Sequence, residues 1–441
     1  MQKEDIFEHL SKEAQRMGVS EWDLSGSSSL STSVSVMGGK VDKIQTRDAL
    51  SFGLRVMTKE SFGYISSSDL SGPGLTKALK LARDIAHLKL TDTSPHLTAS
   101  SMEKFAIPEQ KVASETDVRQ LSQKLLEMER EVLKADPAFK KIPYNGIGES
   151  SGKRFYLNSI GSMREESFQN AWAYLYLLAE AEGKKARKAY SYEQALSFAD
   201  LKVYKCVKDT IENGKFVLDY VPASTGKRQV CFHPKAFLTL LSAFSNIWNA
   251  RLILDGKSLV KKDQIGATLA STSFSLVDSP RHPFHLNPVW FDDEGVKADE
   301  MPIFEGGALR NLVHNEETAR AFDTKVTGNA ISGPRSSASH HYLTVPAGTR
   351  DQDWAVEAGA VYVEELHALH SGIQSLQGSF SLPFDGQIAV DGKKRSIESG
   401  LISGDILSLL QNIVFVGKTC ESTTSGYAPK IWVDGISVTA G

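Results

Sequence analysis

Ile6, Leu10, Ala14 and Met17 recur at three- and four-residue intervals, and Gly18 follows them. That spacing predicts an amphipathic helix that stops at the glycine. The pattern then changes to alternation. Leu30, Thr32, Val34 and Val36 stand between serines, Gly38-Gly39 supplies a tight turn, and Val41–Ile44 returns. Phe52, Leu54 and Val56 predict a further strand, which the polar turn Thr58–Ser61 reverses into Phe62–Ser66. Helical period resumes over Leu75–Leu88 through Leu75, Leu79, Ala82 and Ala86. The Ser/Thr/Pro-rich stretch Thr91–Ser101 reads as a linker, so residues 1–95 are expected to form an N-terminal α+β domain.

A second α+β segment is expected over 110–200. Ser114 and Asp117 make a capping pattern for a helix whose apolar face is Val118, Leu121, Leu125, Met128 and Val132, closed by Asp136-Pro137. Arg154–Leu157 predicts a strand with a turn at Asn158–Gly161. Ala171–Tyr192 predicts a long hairpin turning at Glu182-Gly183-Lys184, and a helix over Ala199–Asn213 follows. From Phe216 onward short strands and Gly-rich turns dominate. The exception is His233–Ala250, HPKAFLTLLSAFSNIWNA, where Pro234 suits a first helical turn and Phe237, Leu241, Phe244 and Ile247 share one buried face. The fold class expected is α+β, with mixed helix and sheet in the N-terminal segments and a larger, mostly β C-terminal domain at 215–441 around one central helix.

Composition narrows the function. A formal net charge of −3 gives no electrostatic drive toward nucleic acid or an anionic membrane, so neither is expected as a direct partner. The three cysteines, Cys206, Cys231 and Cys420, are isolated and form no CxxC pair. The amphipathic N-terminus lacks the layout of a signal peptide, and no run approaches the roughly 18 to 20 apolar residues of a membrane span. A cytoplasmic location is expected. Six of the eleven histidines fall in three clusters: His282 and His285 in a Pro-rich loop, the adjacent pair His340-His341, and His367 with His370 near a strand end. Side chains of adjacent strand residues point to opposite faces, so His340 and His341 cannot share an ion locally. The acidic turn Asp292–Gly295 carries three carboxylates and reads as a solvated turn after a strand. No P-loop or HExxH arrangement is present.

Several segments in fixed order resemble the TldD/PmbA family, also called modulators of DNA gyrase. They are GLRV (Gly53–Val56), FGYISSSDLS, QIGATLAS (Gln264–Ser271), WFDDEGVKADEMPIFEGGALRNLVHNEETARAF, TGNAISG, HSGIQSLQGSFSLPFDGQIAVDG, LLQNIVFVGK and PKIWVDGISVTAG. The resemblance implies paired subunits that assemble a cytosolic zinc metallopeptidase acting on unfolded or leader-type peptides. In that family the TldD-type subunit carries HExxxH on the central helix, at a fixed distance before the IG-containing signature. Counted back from Ile265, that distance places Ser242, Ala243 and Ile247 at the two histidines and the glutamate. Such groups cannot hold zinc or activate water. Cys420 stands in VGKTCE, which is similar to the turn preceding the family's late cysteine ligand.

The chain therefore resembles the PmbA/TldE branch. It is expected to be non-catalytic, to hold no cofactor itself, and to act with a zinc-bearing TldD-type partner or as a dimer with itself. His370–Pro383, with His370, Ser371, Gly372, Gly378 and Ser379, is the candidate peptide-binding surface, read as a backbone edge. The alternatives are a homodimeric peptide-binding module without a protease partner, and a metal-dependent hydrolase using His367, His370 or Cys420.

Overall fold

The computed structural model describes residues 2–88, 96–110, 112, 115–353, 359–390 and 392–440. Ser114 and residues 91–95 of the expected linker lie outside the described residues. Strand exceeds helix, 41% to 26%, in keeping with an α+β fold whose C-terminal part is the strand-rich one. The chain divides into two compact units. The first holds Met1–Leu218 with two returning segments, Trp290–Lys297 and Ile331–Ser336; the second holds the remainder from Asp219.

In the first unit a single six-stranded antiparallel sheet runs through both expected N-terminal segments, in the order β3-β2-β1-β4-β5-β6. The strands are β1 (Glu21–Met37), β2 (Lys40–Met57), β3 (Phe62–Ser67), β4 (Phe139–Asn158), β5 (Met163–Ala179) and β6 (Arg187–Ala195). Four helices accompany them: α1 (Lys3–Met17), α2 (Gly72–His87), α3 (Val118–Ala135) and α4 (Val203–Val217). The first stops where the sequence says, because Gly18 takes the left-handed conformation, φ 68°, and returns its N–H to the last turn. Asp117 caps α3 through the Arg119 N–H.

Alternation in β1 decides which face is covered. Trp22 and Leu24 pack with Leu10, Leu54 and Leu79 beneath α1 and α2. Val34 and Val36, on the same face further along, pack with Leu125, Val132, Ile147 and Leu175 beneath α3 and toward α4. The strands at Val41–Ile44 and Phe52–Val56, expected as two, are one continuous 18-residue strand. The polar run between them carries no apolar alternation, yet it pairs residue by residue with the serines of β1.

Gly38 and Gly39 (φ 59° and 76°) make the tight turn between β1 and β2. Their N–H groups donate to the two carboxylate oxygens of Glu129, at 3.1 and 2.8 Å, so α3 clamps the hairpin tip. On the other face of the sheet, Trp172 and Tyr174 from β5 lie over glycines of β4. A Cβ at Gly146 would stand 2.8 Å from the Tyr174 ring.

The second unit is built on a 13-stranded mixed sheet. Its long strands are Gly226–Phe232, Ser379–Val390, Ile413–Ser422 and Gly426–Ala440. A core cluster containing Phe232, Phe237, Leu241, Phe274, Leu343, Leu382 and Ile431 surrounds the central helix α5 (Pro234–Ala243).

Candidate functional site

His233 starts α5, its Nδ1 accepting the Lys235 N–H at 3.1 Å, and Pro234 follows in the first turn. The helix is shorter than its apolar period. It ends at Ala243, Phe244 leaves helical geometry (φ −109°, ψ 26°), and Ser245–Ile247 forms a 3-10 turn before α6 (Ala250–Leu254). Nonlocal polar contacts account for the break. Asn246 donates its amide to the Lys257 and Ser375 carbonyls, and Asn249 donates to the Ala338 carbonyl while capping α6. Burial follows the sequence nonetheless: Phe237, Leu241, Phe244 and Ile247 are all buried.

Ser242 and Ala243 are half-buried in the last turn of α5, and Ile247 is wholly buried in the core. One imidazole approaches them. His340 Nε2 lies 3.4 Å from Ser242 Oγ, long for a hydrogen bond, and its ring meets Trp248 edge-on at 5.8 Å. Burial lowers the His340 pKa, with nearby Asp278 opposing, and its Nδ1 finds no hydrogen-bond partner among the described residues. His341 turns elsewhere, its Nε2 2.7 Å from the Gly328 carbonyl. Sequence reasoning did not bring His340 to α5, because the contact spans 98 residues with no local pattern.

The other candidates are dispersed. His282 and His285 join an aromatic stack, with ring centroids 4.6 Å from Tyr427 and 4.5 Å from Tyr342 respectively, and burial lowers the pKa of each. His367 is exposed and pairs with Asp385 at 2.8 Å. Cys420 is half-buried opposite Pro429, its thiol pKa raised by burial. All three cysteines are free thiols. Among the described residues no three His, Cys, Asp or Glu side chains converge where one ion could sit.

His370 and Ser371 are exposed in a one-turn helix, and Ser371 Oγ donates to the Ala368 carbonyl. Gly372 is pressed against Ser381, where a Cβ would stand 2.3 Å from the carbonyl oxygen. Gly378 (φ 79°) closes a small hairpin in which Ile373 and Gln374 pair with Phe380 and Ser379. Ser379–Pro383 also pairs with the strand Gly400–Asp405 on its other side. Within this stretch the open backbone is therefore the outer side of Ile373–Gln374, not Ser379.

The acidic turn Asp292–Gly295 corrects an expectation: it is buried rather than solvated. Asp292 and Glu294 are 1% and 4% exposed. Asp292 Oδ1 accepts the N–H groups of Glu294 and Val296, both at 2.9 Å. Glu294 reaches Arg55 at 3.3 Å, and Arg55 holds Asp23 with bonds of 2.8 and 2.5 Å. Ser336 and Tyr156 complete the cluster. Burial opposes the Arg55 charge, but Asp23 and Glu294 outweigh it and hold its pKa well above the usual value. Two of the quoted segments, GLRV and WFDDEG, thus meet in one buried ion network.

Three family models match in succession along the chain: PmbA/TldA metallopeptidase domain 1 over 22–86, the central domain over 109–214 and the C-terminal domain over 225–440. The chain belongs to the PmbA/TldD family. Among PmbA/TldD relatives, a metalloprotease of Methanocaldococcus jannaschii is 24% identical, covering 93% of this chain and 92% of its own. A crystal structure from Thermotoga maritima, described as a modulator of a DNA gyrase, superposes with a TM-score of 0.88 at 22% identity, over 99% of this chain and 100% of the other. TldE from Thermococcus kodakarensis gives 0.79 at 20% identity, over 98% and 100%. At these identities the two structures speak for the fold. A metallopeptidase family implies a metal, and the three positions at the end of α5 do not fit one. A hydroxyl at Ser242, a methyl at Ala243 and a core-buried hydrocarbon at Ile247 offer no ligand set, and among the described residues no three metal-ligating side chains converge around His340.

Proposed function

We propose that this chain is a PmbA/TldE-type subunit that performs no hydrolysis itself and acts with a TldD-type, zinc-bearing partner in the cytosolic proteolysis or maturation of unfolded peptides. The observation that carries this reading is the chemistry at the end of α5. Ile247 is sealed in the core, so its position is not available to a ligand without rebuilding the surrounding packing. With no metal-ligand set at Ser242 and Ile247 and no carboxylate at Ala243, the peptide bond would have neither an activated nucleophile nor a general base there.

What remains for such a subunit is to complete the working assembly and hold the substrate. The metalloprotease names of the relatives support the family chemistry, and the zinc that performs it belongs in this reading to the partner. The test is reconstitution with a purified HExxxH-bearing relative from the same cell. Mixing is expected to yield a mixed assembly by native mass measurement and chelator-sensitive cleavage of an unfolded peptide, greater than the relative gives alone. Persistent pairing of this chain with itself, and unchanged cleavage on mixing, would replace the proposal with the homodimeric binding module.

A further inference from the structure

The first unit carries a groove that the reading above does not use. Of the 18 residues of β2, six (Phe52–Met57) pair with β3, which leaves Lys40–Ser51 paired, among the described residues, with β1 alone. That stretch is exposed almost throughout, so it offers the N–H and C=O groups of an open sheet edge to solvent. Val41 and Ile44 stand opposite Val36 and Val34, which are buried toward α3; both therefore face α3, yet they are 40% and 51% exposed. Between Ile44 and the half-buried side of α3 lies a cavity of about 910 Å³, with Val118, Leu126 and Leu133 on the helix wall.

The helix wall of this groove carries a basic surplus. Arg119, Arg130 and Lys134 line it, and none of the three forms an ion pair among the described residues; along the edge Lys43 and Arg47 stand opposite Ser35 and Ser31, on the face away from Ile44, and Asp48 shares the Ile44 face. The carboxylates nearby are mostly engaged. Glu127 pairs with Lys124, Glu129 accepts the turn N–H groups, and Asp42 accepts from Ser35.

We propose that the groove between α3 and the open edge of β2 takes an extended polypeptide segment that alternates acidic and apolar residues and adds to the sheet as a further strand. The edge supplies sequence-independent backbone bonds, the apolar wall takes alternate side chains, and the basic residues select the acidic ones. A second copy of this chain, pairing edge to edge, is the poorer occupant, because it would bring its own basic helix wall beside this one. The proposal rests on the peptide-handling reading above, but its test uses this chain alone, without partner or cleavage, so the two fail separately.

The probe is a fluorescein-labelled peptide of about ten residues alternating glutamate and valine, a length suited to one strand. Its counterparts carry lysine for glutamate, or N-methyl groups on alternate amides. Fluorescence anisotropy is expected to show saturable binding of the glutamate peptide, and about tenfold or weaker binding of both counterparts. The double variant Arg119→Glu/Arg130→Glu, with native hydrogen exchange elsewhere, is expected to reverse the preference between the charged peptides. Equal affinity for all three peptides, no binding, or no response to the double variant would overturn the proposal. A fall in native mass on charge reversal would do so too, by assigning the edge to a second copy.

Discussion

Replacing Arg55 with methionine removes a cation that pairs with Asp23 and Glu294 inside the first unit. All three side chains are no more than 5% exposed. The variant loses two bonds to Asp23, one to Glu294 and one to Ser336, and leaves the Asp23 carboxylate buried without its guanidinium. Breaking a buried pair by removing one partner costs about 3–5 kcal/mol, and methionine recovers little because the space is lined by oxygen atoms. With two compact units, whole-molecule unfolding is not a two-state process, so the cost is best read locally. Urea-dependent hydrogen exchange of β1, β2 and Trp290–Lys297 is the assay. Their protection is expected to fall by that amount while the second unit keeps its own. Adding Asp23→Asn to Arg55→Met is expected to return about 1 kcal/mol or more, since the neutral amide no longer strands a charge. A loss below about 1 kcal/mol, or unchanged protection at Trp290–Lys297, would refute the reasoning that this network holds the returning segment in its unit.

Three further outcomes follow from single contacts. His314 is 5% exposed, donor or acceptor to Thr318 at 3.2 Å, and burial lowers its pKa from 6.5 to about 4. The folded state therefore binds the proton less well than the unfolded state; the stability held above pH 6.5 is lost as pH falls toward 4, on the order of 3 kcal/mol at most, and His314→Gln is expected to flatten stability across that window. Gly295→Ala places a Cβ 2.3 Å from the Tyr156 ring at φ 73°, so thermal unfolding of the first unit is expected to shift down by the equivalent of about 2 kcal/mol or more. Glu129→Gln replaces a carboxylate that accepts two N–H groups with an amide that offers one acceptor, and hydrogen exchange at Gly38 and Gly39 is expected to speed up about tenfold, with α3 unaffected.

Local grammar made much of the fold legible. Gly18, the Gly38-Gly39 turn, the apolar period of α3 and the hairpin of β5 with β6 each state their element within a few residues. The elements misjudged are those decided by distant partners. The run between Ile44 and Phe52 has no alternation of its own and is strand because β1 lies beside it. The helical period through Ile247 is broken by carbonyls at Lys257, Ser375 and Ala338, none visible from the period itself. The acidic turn looked solvated because its counter-ion, Arg55, is 239 residues away. The end of α5 divides the same way: the buried face of Phe237, Leu241, Phe244 and Ile247 was readable from its period, while the approach of His340 was not.

The central claim is that the end of α5 offers no metal site, and elemental analysis of the purified chain tests it most directly. After exposure to excess zinc and exhaustive dialysis, the chain is expected to retain no stoichiometric zinc, and Ser242→Ala with His340→Ala is expected to leave the metal content unchanged. One tightly held zinc per chain, lost in that double variant, would contradict the account.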